Sequence, residues 1–359
     1  MISIIGAGPA GSYTAYLLAK AGMDVQIFEE HAEIGEPVQC TGIVTSSIKN
    51  ILKLKKKSII NEVNKVKVYS PDNNFTELKL KDKNIILDRK HFDNHISDLA
   101  INNGTKIFLN YKFLDYKDNK IKLKYKKGAT IVTKSDVLIG ADGPLSSVAQ
   151  SAKIYNKQRL MLGFQYRIKL KNENCVEFYP FLKNFAWIVP ENDEIVRLGV
   201  ACYDNLKKNL QKFLKLKRIS KANILEKQGG LIPIYDPKAI LQKQNVYLVG
   251  DAATQVKATT GGGIIQGLIA SKCLADSIIN TKSYTNLLKS VNRELWLHLK
   301  LRNIMDKFSD KDWNYLTKIF NNDKNRNIIE SFDRDHLSNF IVKLAITEPR
   351  LLSFIRYLI

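Results

Sequence analysis

Cysteine is scarce. Four residues, at 40, 175, 202 and 273, stand among 359, and no CxxC pair occurs. That excludes a disulfide framework and a cysteine-held zinc cluster, and it suits a reducing compartment. Histidine is nearly as rare. His31, His91, His95, His298 and His336 show no metal spacing, and the helical pair His91 and His95 has no third ligand, so no metal is expected. No run of 18 apolar residues is present; the nearest stretch, Phe340 to Ile359, is broken by Lys343, Glu348, Pro349, Arg350 and Arg356. Such a segment cannot span a bilayer but can lie on one. The chain opens directly into Ile2-Ser3-Ile4-Ile5 with no basic region ahead, so a signal peptide is not expected. Internal repeats and low-complexity linkers are missing too. With 45% hydrophobic and 25% charged residues, neither disorder nor a fibrous repeat fits. The length suggests two or three domains.

Acidic residues fall short of basic ones, 35 against 56, for a formal charge of +21. The first fifty residues hold only Lys20 and Lys49 as basic groups, so the excess lies downstream, with runs at Lys53–Lys57, Lys117–Lys127 and Lys207–Arg218. Two readings stand. A Lys-, Ile- and Asn-rich composition is what a low-GC genome writes; alternatively, the partner is an anionic surface such as lipid head groups. The aromatic residues inside these runs are only Tyr125 and Phe213, too few for a base-stacking platform, and no nucleic-acid signature is present. Nucleic acid is therefore not an expected partner.

What the chain does contain begins at once. Ile2–Ile5 reads as a buried strand, Ser12–Ala21 as a helix closed by Gly22, and Asp24–Glu29 as a second strand. Alternation over Asn64–Leu80 predicts antiparallel strands, Lys106–Val132 reads as short alternating strands with a turn near Asp118-Asn119, and a helix is expected over Arg89–Ile101 between them. Further β segments are expected over 159–201, an amphipathic helix over Lys207–Lys217, a buried strand at Val246–Val249, and helices over Gly262–Ile279, Tyr284–Lys307 and on to the end. The fold class is α/β. A Rossmann-like nucleotide domain (1–62, 85–155, 228–290) is expected to be interrupted by a β-sheet substrate domain (63–84, 156–227) and followed by a helical lobe (291–359).

Between the first strand and helix stands Gly6-x-Gly8-x-x-Gly11, the position a dinucleotide fingerprint requires. Gly6 permits the tight turn, Gly8 lets a pyrophosphate approach the backbone, and Gly11 lets helix and strand pack closely. The helix N-terminus offers free N–H groups to phosphate. Glu29, at the end of the second strand, can accept from both ribose hydroxyls. A second element lies far downstream. The strand at Val246 delivers Asp251 within Gly250-Asp251-Ala252-Ala253, and Thr259-Thr260-Gly261-Gly262-Gly263 opens the next helix. Asp251 could bind a ribityl chain, and the bare amides at 261–263 could face the electron-rich edge of a flavin. No second GxGxxG is available for a nicotinamide, so electrons must come from a transient donor: NAD(P)H, a ferredoxin or another carrier.

The pair GxGxxG and GDAA, with Asp142-Gly143 between, resembles the FAD-dependent oxidoreductases of the aromatic-hydroxylase fold group. Three stretches narrow the likeness: Gly35-Glu36-Pro37-Val38-Gln39-Cys40-Thr41-Gly42-Ile43, Ala186-Trp187-Ile188-Val189-Pro190, and Gly250 through Gly263. They resemble the geranylgeranyl reductases, most of all the archaeal enzymes that saturate the isoprenoid chains of membrane lipids. The resemblance covers roughly residues 1–315. It departs at Leu182-Lys183-Asn184-Phe185, where the family often has Pro-Gly-Gly-Tyr, and the segment after Cys40 looks one residue shorter.

That resemblance implies FAD, held by Gly6, Gly8, Ala10, Gly11, Glu29, Cys40, Thr41, Gly42, Arg89, Phe113, Asp251, Gly261, Gly262, Gly263 and Ile264. Arg89 would reach the pyrophosphate or ribityl region, and the backbone of Phe113 would face the adenine. Cys40 and Trp187 would stand at the reacting end; Cys40 read by itself is equally a small buried hydrophobe. Phe178, Tyr179, Phe185 and Trp187 either line a prenyl channel or fill a sheet core. The implied reaction is hydride transfer from reduced flavin to a trisubstituted C=C. The expected partners are a prenylated lipid, an anionic membrane surface and the electron donor, and the expected place is the inner face of the cell membrane. The alternatives are a flavin-dependent aromatic monooxygenase of the same fold group, or a non-enzymatic protein that keeps FAD as a structural ligand.

Overall fold

The computed structural model describes the chain apart from Lys127, Lys157, Lys183, Phe332 and Ile359, and apart from the side chains of Lys221, Asn339, Phe340, Val342 and Leu358. Lys127, at the end of the second lysine run, and Lys183 and Ile359 thus lie outside the described residues.

The opening βαβ unit forms as the apolar pattern dictates. Ile2–Ile5 and Val25–Glu29 are buried along their whole length, as parallel strands covered on both faces must be. They pair in parallel with each other, and Val137–Gly140 joins on the other side. The six-stranded sheet runs in the order Gln242–Lys243, Val246–Leu248, Val137–Gly140, Ile2–Ile5, Val25–Glu29, Lys106–Leu109, with only the first strand antiparallel. Helices Pro9–Lys20 and Ile264–Ile279 pack on it, and their apolar faces join the strands in one core. On the chain's return, the three-stranded sheet Tyr111–Lys117, Lys120–Tyr125, Thr130–Lys134 adds Phe113, Ile121 and Leu123 to that core.

The second sheet has eight strands, in the order Ile224–Pro233, Leu160–Lys169, Ile195–Cys202, Phe185–Pro190, Cys175–Tyr179, Ile59–Tyr69, Phe75–Leu87, Ile43–Val44. Its strands overrun segments 63–84 and 156–227 by several residues, and it recruits Ile43–Val44 from just after the glycine loop's unit. Helix Leu206–Leu216 covers one face, burying Leu210, Phe213 and Leu214.

One long helical expectation is interrupted, and the tail forms separate pieces as expected. The stretch from Tyr284 forms a short turn, Tyr284–Leu287, and then Lys289–Met305. The tail divides into Leu337–Thr347 and the 3-10 segment Pro349–Leu358, because Glu348 precedes proline and takes an extended backbone, φ −133° and ψ 75°. Between them Ser309 and Asp312 cap helix Asp310–Phe320 reciprocally.

Candidate functional site

The glycine loop sorts its three glycines by space. A Cβ on Gly6, which sits at φ +101°, would lie 2.4 Å from the Ala141 carbonyl oxygen, and one on Gly11 would lie 2.1 Å from the Gly6 carbonyl oxygen. Gly11 therefore serves helix–strand contact and does not line the cavity, unlike the other fingerprint glycines. Gly8 faces open space, with nothing within 4 Å of its Cβ position. That is the room a pyrophosphate needs against the backbone. Glu29 stands where the second strand ends. Its Oε2 accepts from the Ala7 amide at 2.8 Å, and its Oε1 accepts from the His31 amide at 2.9 Å.

These residues open onto one cavity of about 750 Å³ running between the two large sheets. Gly8, Ala10, Glu29, Arg89, Phe113 and Asp251 line it, as do Cys40, Thr41 and Gly42 and the stretch Gly261–Ile264. Residues expected from distant motifs are thus gathered at one place. Two of its acids are short of donors. Asp142 accepts from the Val148 amide through Oδ2 at 3.1 Å, while its buried Oδ1 has no partner among the described residues. The Asp251 side chain accepts no hydrogen bond among them. Burial pushes the Asp251 carboxyl up to about 6, against a pull from the Arg89 charge, and burial likewise raises Asp142. A ligand bearing hydroxyls and phosphates fits such a set: an open glycine cradle, a helix N-terminus and carboxylates short of donors.

Arg89 is already engaged. It makes a double contact with Asp93, Nε to Oδ1 at 3.0 Å and Nη2 to Oδ2 at 2.8 Å. Burial works against the guanidinium, but Asp93 and the neighbouring Cys40 hold its pKa above the ordinary arginine value. The Cys40 sulfur accepts from the Gly42 amide at 3.3 Å, which folds residues 40–42 into a tight turn with Gly42 at φ +71°.

That turn is latched to the second sheet by residues no motif announced. Arg197 donates to the Thr41 carbonyl at 2.6 Å and pairs with Glu191 at 2.8 Å; Glu191 also takes Arg167 at 2.7 Å. Gln165 Oε1 accepts from the Thr41 hydroxyl at 2.7 Å and from the Trp187 indole at 3.2 Å, and its amide donates to Gln228 at 2.6 Å. Trp187 lies over Gly199, where a Cβ would come within 2.4 Å of the indole. Phe178, Phe185 and Trp187 line the cavity as a row, with centroids 5.6 and 5.7 Å apart. Tyr179 does not. It is fully buried in the second core, stacked on Tyr69 at 4.6 Å, because alternate strand residues face opposite sides. Cys175 and Cys202 are buried and Cys273 is partly so, all of them free thiols.

The helical lobe also reaches the site, which the local pattern did not indicate. Asp335 accepts from the Thr45 hydroxyl at 2.5 Å and forms a buried ion pair with Lys257. Asp333 takes the Ser47 hydroxyl. The Thr259 hydroxyl lies 2.7 Å from His298 Nδ1, and burial drives that imidazole's pKa down to about 3.

A dinucleotide cradle that opens into an aromatic-walled chamber fits the Rossmann-like α/β class of flavin-dependent oxidoreductases. The comparisons agree. A model of the NAD(P)-binding Rossmann-like domain matches residues 4–41, and one of lycopene cyclase protein matches 179–336. The digeranylgeranylglycerophospholipid reductase of Methanocaldococcus jannaschii is 28% identical, covering 100% of this chain and 98% of the relative. That of Methanothrix thermoacetophila is 28% identical over 88% and 90%. A geranylgeranyl bacteriochlorophyll reductase-like protein of Thermoplasma acidophilum superposes with a TM-score of 0.84 at 20% identity, over 100% of this chain and 98% of that one. A flavin-dependent brominase superposes at 0.75 and 16% identity, over 99% and 98%. These two structural likenesses speak for the fold. The resemblance to the geranylgeranyl reductases read from the motifs is borne out over the whole chain.

Proposed function

We propose that this chain is an FAD-dependent reductase that saturates the C=C bonds of geranylgeranyl chains on membrane glycerophospholipids. The observation that carries the reading is the continuity of the cavity: the glycine cradle and Asp251 at one side, and Phe178, Phe185, Trp187 and Ile232 at the other. Residues 1–62, 85–155 and 228–290 form the cofactor unit in this reading, 63–84 and 156–227 the substrate unit, and 291–359 the helical lobe.

Gly6, Gly8, Ala10 and the helix they open hold the pyrophosphate, with Gly11 keeping that helix close to the strand. Glu29 takes the ribose, and the strand at Phe113 takes the adenine. Asp251 and Arg89 take the ribityl region, and Cys40–Gly42 and Gly261–Ile264 flank the ring. FAD, when bound, supplies the hydride. An isolated alkene accepts hydride poorly, so a proton must reach one alkene carbon as hydride reaches the other, and the chain must stabilise the positive charge that develops on the carbon the hydride attacks. The faces of Phe178, Phe185 and Trp187 do this through their quadrupoles and also keep water out. Cys40 shapes the boundary between ring and substrate. Electrons arrive from a donor that binds transiently, whether NAD(P)H, a ferredoxin or another carrier.

No helix among the described residues is long and apolar enough to cross a membrane. We place the enzyme peripherally on the inner face of the cell membrane. Ile346, Leu352 and Ile355 are exposed at 76%, 49% and 47% and offer apolar anchors. Arg350 and Arg356 beside them are paired with Glu348 and Asp312, so the docking charge falls on the lysine runs.

The test is anaerobic. The protein is reduced with dithionite, and a geranylgeranylated glycerophospholipid is added. Flavin reoxidation with a gain of two hydrogens per double bond supports the reading. A protein that stays reduced until oxygen enters, then hydroxylates an aromatic ring, is the monooxygenase instead.

A further inference from the structure

Four basic side chains line the cavity among the described residues: His31, Arg89, Lys112 and Arg334. Three are committed. His31 meets Glu29 at 2.6 Å, Arg89 meets Asp93 at 2.8 Å, and Lys112 meets Glu30 at 3.3 Å. The Arg334 guanidinium forms neither a hydrogen bond nor an ion pair among the described residues. Its chain neighbours are acids, but both are occupied elsewhere. Asp335 is held by Thr45 and Lys257, and Asp333 by the Ser47 hydroxyl and the Asp335 amide, the latter at 2.9 Å. Together the two aspartates pin the loop down on either side of Arg334, which lines the cavity.

An unpaired guanidinium withdrawn from bulk water carries a desolvation cost that an anion repays. Burial holds its pKa below the ordinary arginine value in spite of Asp335 and Asp333 nearby. Its fork of N–H donors suits the oxygens of a phosphate. The cofactor's own diphosphate is not the natural partner. The anchors of Arg334 follow Ile43–Val44 or lie behind Gly262, where a Cβ would come 3.0 Å from the Lys257 side chain. These stretches belong to the ring end of the cavity, whereas the diphosphate belongs at the glycine loop.

We propose that Arg334 binds the phosphate of the lipid substrate and so selects phosphorylated prenyl chains over neutral ones. The proposal rests on the reductase reading above. It is tested by equilibrium binding of geranylgeranyl phosphate and of geranylgeraniol to the FAD-loaded protein, followed by perturbation of the flavin spectrum. The native protein should favour the phosphate ester. Arg334→Gln should weaken the ester roughly 10- to 100-fold, the range of a lost charge-assisted contact, and leave the alcohol unchanged. Arg334→Lys should restore part of the difference. FAD content and flavin reduction potential should stay as they were. Inorganic phosphate alone should bind far more weakly than the ester; equal affinity would make this a site for free anions and overturn the proposal. Equal weakening of both ligands by Arg334→Gln would also overturn it, as would a lowered flavin potential, which would assign the guanidinium to the ring. If the alcohol binds but the ester gains nothing from Arg334, this proposal alone falls; if the native protein binds neither, the reductase reading falls with it.

Discussion

Asp251 sits in the cavity with no hydrogen-bond donor among the described residues, and burial raises its carboxyl to about 6. In the unfolded chain an aspartate titrates near 3.9. The folded apoprotein therefore keeps this proton to higher pH than the unfolded chain does. The sign follows: between about pH 4 and pH 6 the folded state binds more protons, so stability falls as pH rises through that window and levels off above it. A shift of about two units corresponds to about 3 kcal/mol in full, of which about 2 kcal/mol is lost between pH 4.5 and 8. Asp251→Asn removes the titration. Urea unfolding of the FAD-stripped protein should show the variant gaining about 2 kcal/mol on the native protein between pH 4.5 and 8. FAD should nevertheless bind the variant roughly 10- to 100-fold more weakly, because a charged acceptor for cofactor hydroxyls is gone. A native-minus-variant difference that does not change with pH, or a variant less stable at pH 8, would refute the reasoning.

The glycine loop predicts a separation of effects. Gly11→Ala forces a Cβ to 2.1 Å from the Gly6 carbonyl and should cost about 3 kcal/mol in a urea titration, whereas Gly8→Ala should change stability by less than about 0.5 kcal/mol yet weaken FAD binding. Gly199→Ala drives a methyl into the Trp187 indole; tryptophan emission and prenyl turnover should change while FAD content does not. Asp93→Asn strips the buried Arg89 of its counter-charge and should destabilise the protein by about 3–5 kcal/mol, with the Arg89→Leu/Asp93→Leu pair costing less. Sedimentation with anionic vesicles should fall as salt rises, at about 1 kcal/mol per juxtamembrane lysine; binding that ignores salt would exclude the lysine runs as the contact.

The legible parts of the fold were those with short-range causes. Ile2–Ile5 and Val25–Glu29 are mostly apolar because both faces are covered, with Gln26 donating to Ser3 between them at 2.8 Å, and such a short apolar-rich run is visible without knowing the partners. Helix Arg89–Ile101 was equally legible, since Asp88 caps it by accepting the His91 amide at 2.9 Å and the apolar period continues behind. Tyr179 was ambiguous for a physical reason: Phe178 and Tyr179 are both aromatic, and only the register against Val68 and Trp187 decides which one faces the cavity.

The sequence by itself determined the cradle. Three glycines, a strand before them, a helix after them and Glu29 at the next strand's end are local requirements of backbone angle and close approach, met by residues near one another in the chain. It also pointed to the second glycine-rich stretch of the cavity lining, because Gly250-Asp251 and Gly261–Gly263 obey the same local rules. Tertiary structure alone decided what closes the site. Gln165, Arg197 and Gly199 reach Thr41 and Trp187 from other strands, and Arg334 enters from the helical lobe on a loop pinned by Thr45, Ser47 and Lys257. A lone arginine or glutamine has no neighbours in the chain that reveal its purpose. Its role is set by the carboxylate or carbonyl that packing places against it, and in the case of Arg334 by the partner that packing withholds.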